Sequence, residues 1–400
     1  MRLEEVFTPN SAPTHTYVTR GEQKLEAQLE GALKVKNTLI SISGPSKTGK
    51  TALVSKVIDH NNIIKISGIE IQKEGDLWRR VLSWMETPTQ KTSASHTEAG
   101  IKFFGFGAKH AVESSTTIAS DGLARVCAEI AHSDYVIFID DFHYISKEIQ
   151  QFVAREIKAG LEFGLKICVA SVPHRSDDVV RSNHELAGRA SCIDTDYWSI
   201  NDLYQIGTLG FNSLNLKVDD QTILTIAEKC FGSPQLMQTL CLNACIVKGV
   251  SGRQLGKRPI SFSNPDIQEA LKRSSSTTNF KTLVQKLHQG PRSRGVERKE
   301  FDFYDGSRGD VYRAVLLAIS LDPGVLEMNY KEMTDRVSIV CSKDKQPIGS
   351  SMNEALKQMN NISKETLGPD ILEWDEDRLS IMDPYFVFYI KYSQILQELA

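Results

Sequence analysis

Eight residues near the start of the chain have the types and the spacing of a loop that binds phosphate. They run Gly44-Pro-Ser-Lys-Thr-Gly-Lys-Thr51 and match the pattern G-x-x-x-x-G-K-[ST] without deviation. Glycines allow consecutive backbone N–H groups to turn inward around a phosphate, and the N-terminus of a following helix adds partial positive charge. The motif therefore predicts an ATP site in which Lys50 neutralises the β- and γ-phosphates and Thr51 supplies a hydroxyl to Mg²⁺. The predicted nucleotide-binding residues of this loop are Gly44, Pro45, Ser46, Lys47, Thr48, Gly49, Lys50, Thr51 and Ala52.

Two adjacent carboxylates follow a hydrophobic run later in the chain. The stretch YVIFID, from Tyr135 to Asp140, is almost purely apolar, and Asp141 comes directly after it. Such a run predicts a parallel strand that is buried on both faces. Ligands bind open α/β sheets at the carboxyl ends of their strands. We therefore expect Asp140 to hold Mg²⁺ through water and Asp141 to polarise the water that attacks ATP.

Two further polar residues are candidates for catalysis. Ser171 ends the next hydrophobic run, LKICVAS, where its hydroxyl can sense the γ-phosphate. Arg189 lies eighteen residues further on, beyond Arg175 and Arg181 and after a predicted helix. In a ring or a dimer, such an arginine can reach the nucleotide of a neighbouring copy and stabilise transition-state charge. A surface salt bridge is the alternative role for Arg189.

The elements that must position these residues alternate between strand and helix. Strands are predicted at 38–43, 63–67, 135–140 and 165–171, with helical stretches between them. This alternation predicts an α/β core over 36–200, with a parallel sheet covered by helices on both faces. An insertion at 87–122 is rich in Ser, Thr, Gly and Lys, and it can form a β-hairpin around 105–107 or a surface loop.

The second half of the chain predicts different domains. Residues 201–250 have the pattern of a small helical domain. Residues 251–300 are polar and irregular, and the part from Lys272 to Lys299 holds eight Lys and Arg against a single Glu. Residues 301–400 predict amphipathic helices followed by a closing strand and helix. The middle segment is therefore interpreted as a basic linker between two folded domains.

Composition limits the class of protein. The chain has 400 residues, 40% of them hydrophobic and 24% charged, with a net charge of −3, which is typical of a multidomain globular protein. Seven cysteines without framework spacing indicate reduced thiols in the cytoplasm. No signal peptide is evident, and no apolar run approaches the roughly 18 residues that span a bilayer. We expect no contact with a membrane.

The motifs together resemble the AAA+/STAND class of P-loop ATPases, close to its archaeal-type and origin-recognition-like members. Four stretches carry the resemblance in order: the Walker A loop at Gly44–Thr51, the Walker B strand at Ile137–Asp141, VASVPHR and CFGSPQLMQTLC. The resemblance implies a P-loop NTPase core, a helical lid at 201–250 and a C-terminal winged helix at 301–400. It also implies that the chain needs ATP and Mg²⁺.

The same resemblance assigns roles to residues outside the core. In the N-terminal segment, 1–35, it places Tyr17, Val18 and Arg20 against the adenine. Pro234, in the Gly-Ser-Pro element that begins at residue 232, would contact the base from the lid. Many related ATPases have Glu where this chain has Asp141, so the shorter side chain implies slow hydrolysis. Initiator-type members often have Arg where this chain has Gln235, which favours the STAND-like switches.

Two functions are consistent with these features. The first is a switch that changes conformation and assembly with its nucleotide, forms homo-oligomers and regulates a separate effector protein, with defence as the setting implied by the resemblance. The second is a DNA-binding AAA+ initiator, loader or transposition-type regulator that uses the basic linker and the winged helix. No zinc pattern and no G-x-S-x-G hydrolase motif indicates a second catalytic site.

Overall fold

The computed structural model divides into two compact units. The described residues are 1–21, 23–86, 115–172, 186, 188–277, 279–291, 298–342, 346–347, 349–367 and 371–400. Residues 23–44 and 53–195 form the unit that we call the sheet unit. Residues 1–22, 45–52 and 196–400 form the second, which we call the helical unit. The possible hairpin around 105–107 lies outside the described residues, as do Arg175 and Arg181.

A five-stranded parallel sheet forms the centre of the sheet unit. Its strands are β1 (Leu39–Ser43), β2 (Ile63–Ser67), β3 (Val136–Asp140), β4 (Lys166–Ser171) and β5 (Ala190–Asp194). They are ordered β2-β3-β4-β1-β5, and every neighbouring pair is parallel. The first four strands lie where the apolar runs predicted them. The central strands β3 and β4 are buried almost throughout, because helices cover both faces of a parallel sheet.

Helices complete the two layers around this sheet. They are α2 (Leu25–Lys34), α3 (Lys50–Val57), α4 (Asp76–Glu86), α5 (Ser115–Ile130) and α6 (Lys147–Glu162), α3 beginning within the helical unit. One core holds Leu29 and Val54 against Ile40, and the other holds Trp78 and Ile157 against the opposite sheet face. The α/β prediction is thus confirmed. The described end of the predicted insertion, from Ser115 onward, is the first part of helix α5 and not a loop or a hairpin.

Helices build most of the helical unit. After the short helix α1 (Leu3–Val6), they are α7 (Ile200–Ser213), α8 (Asp220–Glu228), α9 (Pro234–Val247), α10 (Asn264–Ser275) and α11 (Lys281–Gln289). Two-residue strands β6 (Leu216–Lys217) and β7 (Arg258–Pro259) pair beside them. Side-chain caps begin several of these helices, as where Ser233 accepts from the backbone N–H of Leu236 at the start of α9.

The prediction of an irregular linker over 251–300 is wrong for much of that segment. Helices α10 and α11 both lie in it, and their apolar faces are buried in the core of the helical unit. Ile267 and Leu271 are one turn apart on α10, and Leu283 and Leu287 are one turn apart on α11, which is the spacing of an amphipathic helix. Four of the basic residues of the segment, Lys272, Arg273, Lys281 and Lys286, therefore lie on the exposed faces of packed helices.

The C-terminal residues form a small sheet flanked by helices. A short hairpin of β8 (Phe301–Asp302) and β9 (Arg308–Gly309) precedes α12 (Val311–Ile319), β10 (Glu327–Asn329), α13 (Tyr330–Val340) and α14 (Ser350–Leu367). Strands β11 (Leu372–Asp375) and β12 (Arg378–Ile381) then pair antiparallel, in the sheet order β10-β12-β11. Helices α15 (Pro384–Tyr392) and α16 (Ile395–Glu398) close the chain. This order supports the winged helix, which stays a prediction.

The seven cysteines, all among the described residues, are free thiols. Five are buried, Cys127 is half-buried and Cys192 is exposed. Burial raises the pKa of the Cys241 and Cys245 thiols on helix α9, so both are held in the unreactive protonated form. Most of the seven thiols therefore belong to the hydrophobic cores.

Within the described residues, no helix is both long and apolar enough to cross a membrane.

Candidate nucleotide-binding site

The predicted phosphate loop is tightly turned and internally hydrogen-bonded. Lys47 and Gly49 have positive φ angles of 63° and 95°, the latter in a region that favours glycine. The Thr48 hydroxyl donates to the carbonyl oxygen of Pro45 at 2.9 Å, and Lys50 Nζ donates to the same oxygen at 2.8 Å. Only 7% of Lys50 is exposed. The loop thus holds the Lys50 cation at the N-terminus of helix α3, as a phosphate site requires.

Gly44 joins strand β1 to this loop at a place where no side chain fits. A Cβ atom built on Gly44 would lie 1.8 Å from Oγ1 of Thr195, which donates from that hydroxyl to the Ser43 carbonyl. The backbone N–H of Gly44 donates to the carbonyl oxygen of Ser171 at 3.3 Å. The first glycine of the motif is therefore needed for close packing of β1, β4 and the residue that follows β5.

The carboxyl ends of the strands bring two of the predicted residues close together. Ser43 is in register with Ser171, and Asp140 ends the next strand beyond β4 in the sheet order. Ser171 is only 2% exposed, and its hydroxyl oxygen has no hydrogen-bond partner among the described residues. A buried, unsatisfied hydroxyl at this edge is suited to a polar ligand, which fits the predicted contact with a γ-phosphate.

Asp140 is a buried carboxylate that pairs with a lysine, a partner that the sequence did not reveal. It is 7% exposed, and its Oδ2 lies 2.9 Å from Nζ of Lys65 on the neighbouring strand β2. Burial raises the pKa of the Cys168 thiol on β4, and the charge of Asp140 raises it further. A carboxylate and a hydroxyl are each ligands that Mg²⁺ prefers, so the side chains of Asp140 and Thr51 are of the right chemical type, and their binding of one ion stays a prediction.

Few protein ligands are expected for Mg²⁺ at a phosphate site, because phosphate oxygens and water supply the others. The described part of the chain holds no group of three or more His, Cys, Asp or Glu residues that could bind a metal ion.

Asp141 begins the turn that leaves strand β3. Its backbone is left-handed, with φ 56° and ψ 45°, and it precedes a short 3₁₀ helix, Phe142–Tyr144. Asp and Asn adopt this conformation more readily than other residues with a side chain. A Cβ on Gly68 would lie 2.3 Å from the Asp141 carbonyl oxygen, so the turn is closely packed. The turn fixes Asp141 immediately after Asp140, and its role as a base stays a prediction.

Arg189 is not brought to the same edge of the sheet. It precedes β5, and its carbonyl accepts from the backbone N–H of Leu39 at the start of β1. This is the amino end of the parallel strands, opposite Asp140 and Ser171. Its guanidinium pairs with Glu162 at 3.0 Å, and both side chains are half exposed. Arg189 therefore does not belong to the strand-end group of its own chain, and action on a neighbouring copy stays a prediction.

Trp198 contacts the phosphate loop, although no sequence pattern predicted it. Its indole N–H donates to the carbonyl oxygen of Thr48 at 2.8 Å, within the helical unit. The guanidinium of Arg20 lies 5.1 Å from the centre of the Trp198 ring and donates to the carbonyl oxygen of Asp196 at 2.9 Å. Arg20, which was predicted to lie against the adenine, therefore contacts Trp198, and Trp198 in turn contacts the phosphate loop.

The lid element contacts the same segment. The backbone N–H of Trp198 donates to the Gly232 carbonyl at 2.9 Å, and Pro234 begins helix α9 two residues later. Gly232 has a φ of 69°, and a Cβ there would lie 2.7 Å from Tyr197. Tyr17 is half-buried and Val18 is buried in the core of the helical unit. Contact of Tyr17, Val18, Arg20 and Pro234 with a base stays a prediction.

The N-terminal segment is fixed to helix α9 by a buried amide. Gln238 accepts from the backbone N–H of Thr8 at 3.2 Å and donates to the Thr16 hydroxyl at 2.6 Å. Gln235, three residues earlier on the same helix, donates to the Asn10 side chain at 3.1 Å. Both glutamines therefore hold the segment that leads to Tyr17.

Lys47 contacts the C-terminal part of the helical unit. Its Nζ lies 2.8 Å from Oδ2 of Asp383 and 4.2 Å from the centre of the Tyr385 ring. The Tyr385 hydroxyl is 2.9 Å from that of Thr239 on helix α9. Asp383 and Tyr385 were not predicted, because they lie more than three hundred residues from the loop in sequence.

Trp198→Phe is expected to weaken ATP binding about threefold to tenfold, since one neutral hydrogen bond to the loop is lost. The substitution keeps an aromatic ring near Arg20. Tryptophan emission of the wild type should change when ATP binds, and Trp198→Phe should remove that change. Trp374→Phe, in the C-terminal hairpin, is the control and should keep it. An unaltered response in Trp198→Phe would show that Trp198 does not report on the loop.

Three solved structures are similar to this chain over most of its length. The Walker-type ATPase of Pyrococcus abyssi is 18% identical, with a TM-score of 0.53 over 94% of this chain and 96% of that chain. Cdc6p from Pyrobaculum aerophilum is 14% identical, with a TM-score of 0.45 over 99% and 98% of the two chains. The RuvB branch migration motor of Thermotoga maritima is 14% identical, with a TM-score of 0.41 over 68% and 78%.

No family model matches the sequence. No curated protein matches it either. The likeness to the Pyrococcus Walker-type ATPase shows that the two chains share a fold, with the five-stranded parallel sheet at its centre in this chain.

Proposed function

We propose that this chain is an ATP-binding, slowly hydrolysing switch of the AAA+/STAND type. The observation that carries the proposal is the set of contacts that the phosphate loop makes within the helical unit. Thr48 accepts from Trp198, next to the lid element, and Lys47 pairs with Asp383 in the C-terminal region. A nucleotide that changes the loop therefore acts directly on both regions, which is how a ligand shifts a conformational equilibrium.

The roles at the nucleotide follow from the side chains. Lys50 neutralises the β- and γ-phosphates, the backbone of residues 44–52 surrounds them, and Thr51 and Asp140 hold Mg²⁺. Bound Mg²⁺ supplies positive charge where the phosphates gain negative charge during hydrolysis. Asp141 orients the attacking water, and Ser171 contacts the γ-phosphate. The short reach of Asp141 makes hydrolysis slow, so the ATP state persists.

Assembly into homo-oligomers gives Arg189 its role. It lies at the amino end of the strands in its own chain and carries a half-exposed guanidinium, held at 3.0 Å by Glu162. A half-exposed ion pair of this kind contributes little to stability, so Arg189 can exchange partners at small cost. In the assembled state it contacts the nucleotide of the neighbouring copy. A separate effector protein would then recognise the assembly.

Charges in the C-terminal region favour this switch over a DNA-binding initiator. Residues 301–400 contain seventeen Asp and Glu but only ten Lys and Arg. The tight turn between β11 and β12 is Glu376-Asp377, at the place where a wing would approach DNA. In the preceding segment, Lys281 pairs with Glu398 at 3.5 Å and Arg298 with Asp310 at 2.8 Å. Binding to DNA requires cations that neutralise its phosphates.

Light scattering after size separation tests the proposal. The purified chain is measured with ADP, ATP and a non-hydrolysable ATP analogue, each with and without duplex DNA. We expect a larger assembly with the analogue than with ADP, and no change on addition of DNA. Equal masses in all three nucleotides would contradict the switch. A complex with DNA that weakens from low to moderate salt would favour the initiator instead.

A further inference from the structure

Asp383 serves two partners at the start of a buried helix. It is 8% exposed, and its Oδ1 accepts from the backbone N–H of Tyr385, which caps helix α15. Its Oδ2 accepts from Lys47 Nζ in the phosphate loop at 2.8 Å. Nearly all of α15 is buried, and the rings of Phe386 and Tyr389 lie 5.6 and 5.9 Å from that of Phe280. The carboxylate therefore joins the loop to a firmly packed helix.

Tyr385 strengthens this junction. Its ring, 4.2 Å from Lys47 Nζ, gives the cation a second partner. Its hydroxyl is hydrogen-bonded to the Thr239 hydroxyl of helix α9. Burial raises the pKa of the Tyr385 hydroxyl, and the nearby charge of Asp383 raises it further. Ion pairs and cation–π contacts are stronger where water is excluded. One lysine thus connects the phosphate loop to both α15 and α9.

A bound triphosphate and this ion pair make opposing electrostatic demands on Lys47. The Lys47 ammonium is attracted by the negative charge of the phosphates. The carboxylate of Asp383, next to the same loop, is repelled by that charge. ATP brings more negative charge than ADP, because it has a γ-phosphate. Coupling between two interactions is reciprocal. If ATP weakens the Asp383–Lys47 ion pair, the ion pair must therefore weaken the binding of ATP by the same factor.

We propose that the Asp383–Lys47 ion pair is a latch that fastens helix α15 to the phosphate loop and that ATP opens. The latch rests on the proposed function, since it regulates the same nucleotide site. It makes the C-terminal region respond to the γ-phosphate through Lys47, with Tyr385 passing the change to helix α9.

Asp383→Asn tests the latch, because Asn is also a good N-cap and removes only the charge. We expect the affinity for ATP to rise about tenfold, a typical size for coupling between sites. The affinity for ADP should rise less. Calorimetric titration of the full chain with each nucleotide and Mg²⁺ measures both. In a Lys47→Gln background, Asp383→Asn should raise ATP affinity much less, because the pair is already broken.

Asp310→Asn is the matched control. Asp310 caps helix α12 through the backbone N–H of Tyr312 at 2.9 Å and pairs with Arg298 at 2.8 Å. The guanidinium of Arg298 lies 4.8 Å from the Tyr312 ring. The same arrangement of a capping Asp, a cation and a Tyr two residues later thus occurs away from the loop, and its loss should leave ATP affinity unchanged.

The outcomes separate the latch from the proposed function. If Asp383→Asn alters nucleotide affinity no more than Asp310→Asn, the latch is wrong while ATP binding stands. If the wild type binds no ATP, the proposed function itself fails. If Asp383→Asn does not fold, amide hydrogen exchange in Lys47→Gln and in the wild type tests the latch instead. Amides at the start of helix α15 should exchange faster in Lys47→Gln without ATP, as in the wild type with ATP, and unchanged exchange would overturn the latch.

Discussion

Lys50→Ala is expected to lower the affinity for ATP at least about a hundredfold, effectively abolishing binding. Lys50 is 7% exposed and is held by the Pro45 carbonyl at 2.8 Å, at the first residue of helix α3. Its ammonium would meet the phosphates in a place from which water is largely excluded. Hydrogen bonds to charged groups contribute about 1.5–3 kcal/mol each, and every 1.4 kcal/mol is a factor of ten. Calorimetric titration with ATP and Mg²⁺ gives the two dissociation constants.

Lys56→Ala is the control for Lys50→Ala. Lys56 lies in the last turn of the same helix, with an exposed side chain, so it tests the loss of a lysine without the loss of the site. Lys56→Ala should bind ATP as the wild type does. Both variants are checked by thermal unfolding. Retained ATP affinity in a folded Lys50→Ala would contradict the assignment of the loop and the switch built on it.

The sheet could be predicted because most of its strands are continuous apolar runs. The run at 63–67 coincides with β2, and those at 135–140 and 165–171 exceed β3 and β4 by one residue each. Strand β5 was not predicted, because it has no continuous apolar run. Only Ile193 is buried among Ala190–Asp194, since β5 is an edge strand that pairs with β1 alone. An exposed edge strand needs no hydrophobic run, so the sequence carries little signal.

The supposed linker shows how composition can hide periodicity. Helix α10 buries Ile267, Ala270, Leu271 and Ser274, a spacing of three and four residues that is present in the sequence. The many Lys and Arg residues at 251–300 led to a prediction of irregular structure. Charged residues on the outer face of a packed helix are ordinary, so spacing was the more reliable guide here.

The site was predictable only where its chemistry is local in sequence. The phosphate loop, Asp140 and Ser171 follow from short patterns at strand ends. Trp198 is 150 residues from Thr48, and Asp383 is 336 residues from Lys47, so their contacts leave no local pattern. Lys65 lies on β2 and pairs with Asp140 because β2 and β3 are neighbours, a fact that depends on strand order.

Asp141→Asn is expected to lower the turnover of ATP at least about a hundredfold, since general bases contribute 10²–10⁴-fold. Asn is the right replacement because residue 141 has a left-handed backbone, which Asn tolerates and Ala adopts at a cost of about 1 kcal/mol. Affinity for ATP and thermal stability should be retained, because Lys50 and the loop are unchanged. Phosphate release at saturating ATP and Mg²⁺ measures turnover.

Asp134→Asn provides the comparison, because Asp134 lies near the opposite end of the same strand. It pairs with Lys166 at 3.0 Å, and 88% of its side chain is exposed. Loss of this charge should leave turnover as in the wild type, so a fall in both variants would indicate a general effect of charge on the sheet unit. Undiminished turnover in Asp141→Asn would mean that another group orients the water. In that case Asp141 would serve only the turn after β3, and the slow hydrolysis on which the switch depends would need a different origin.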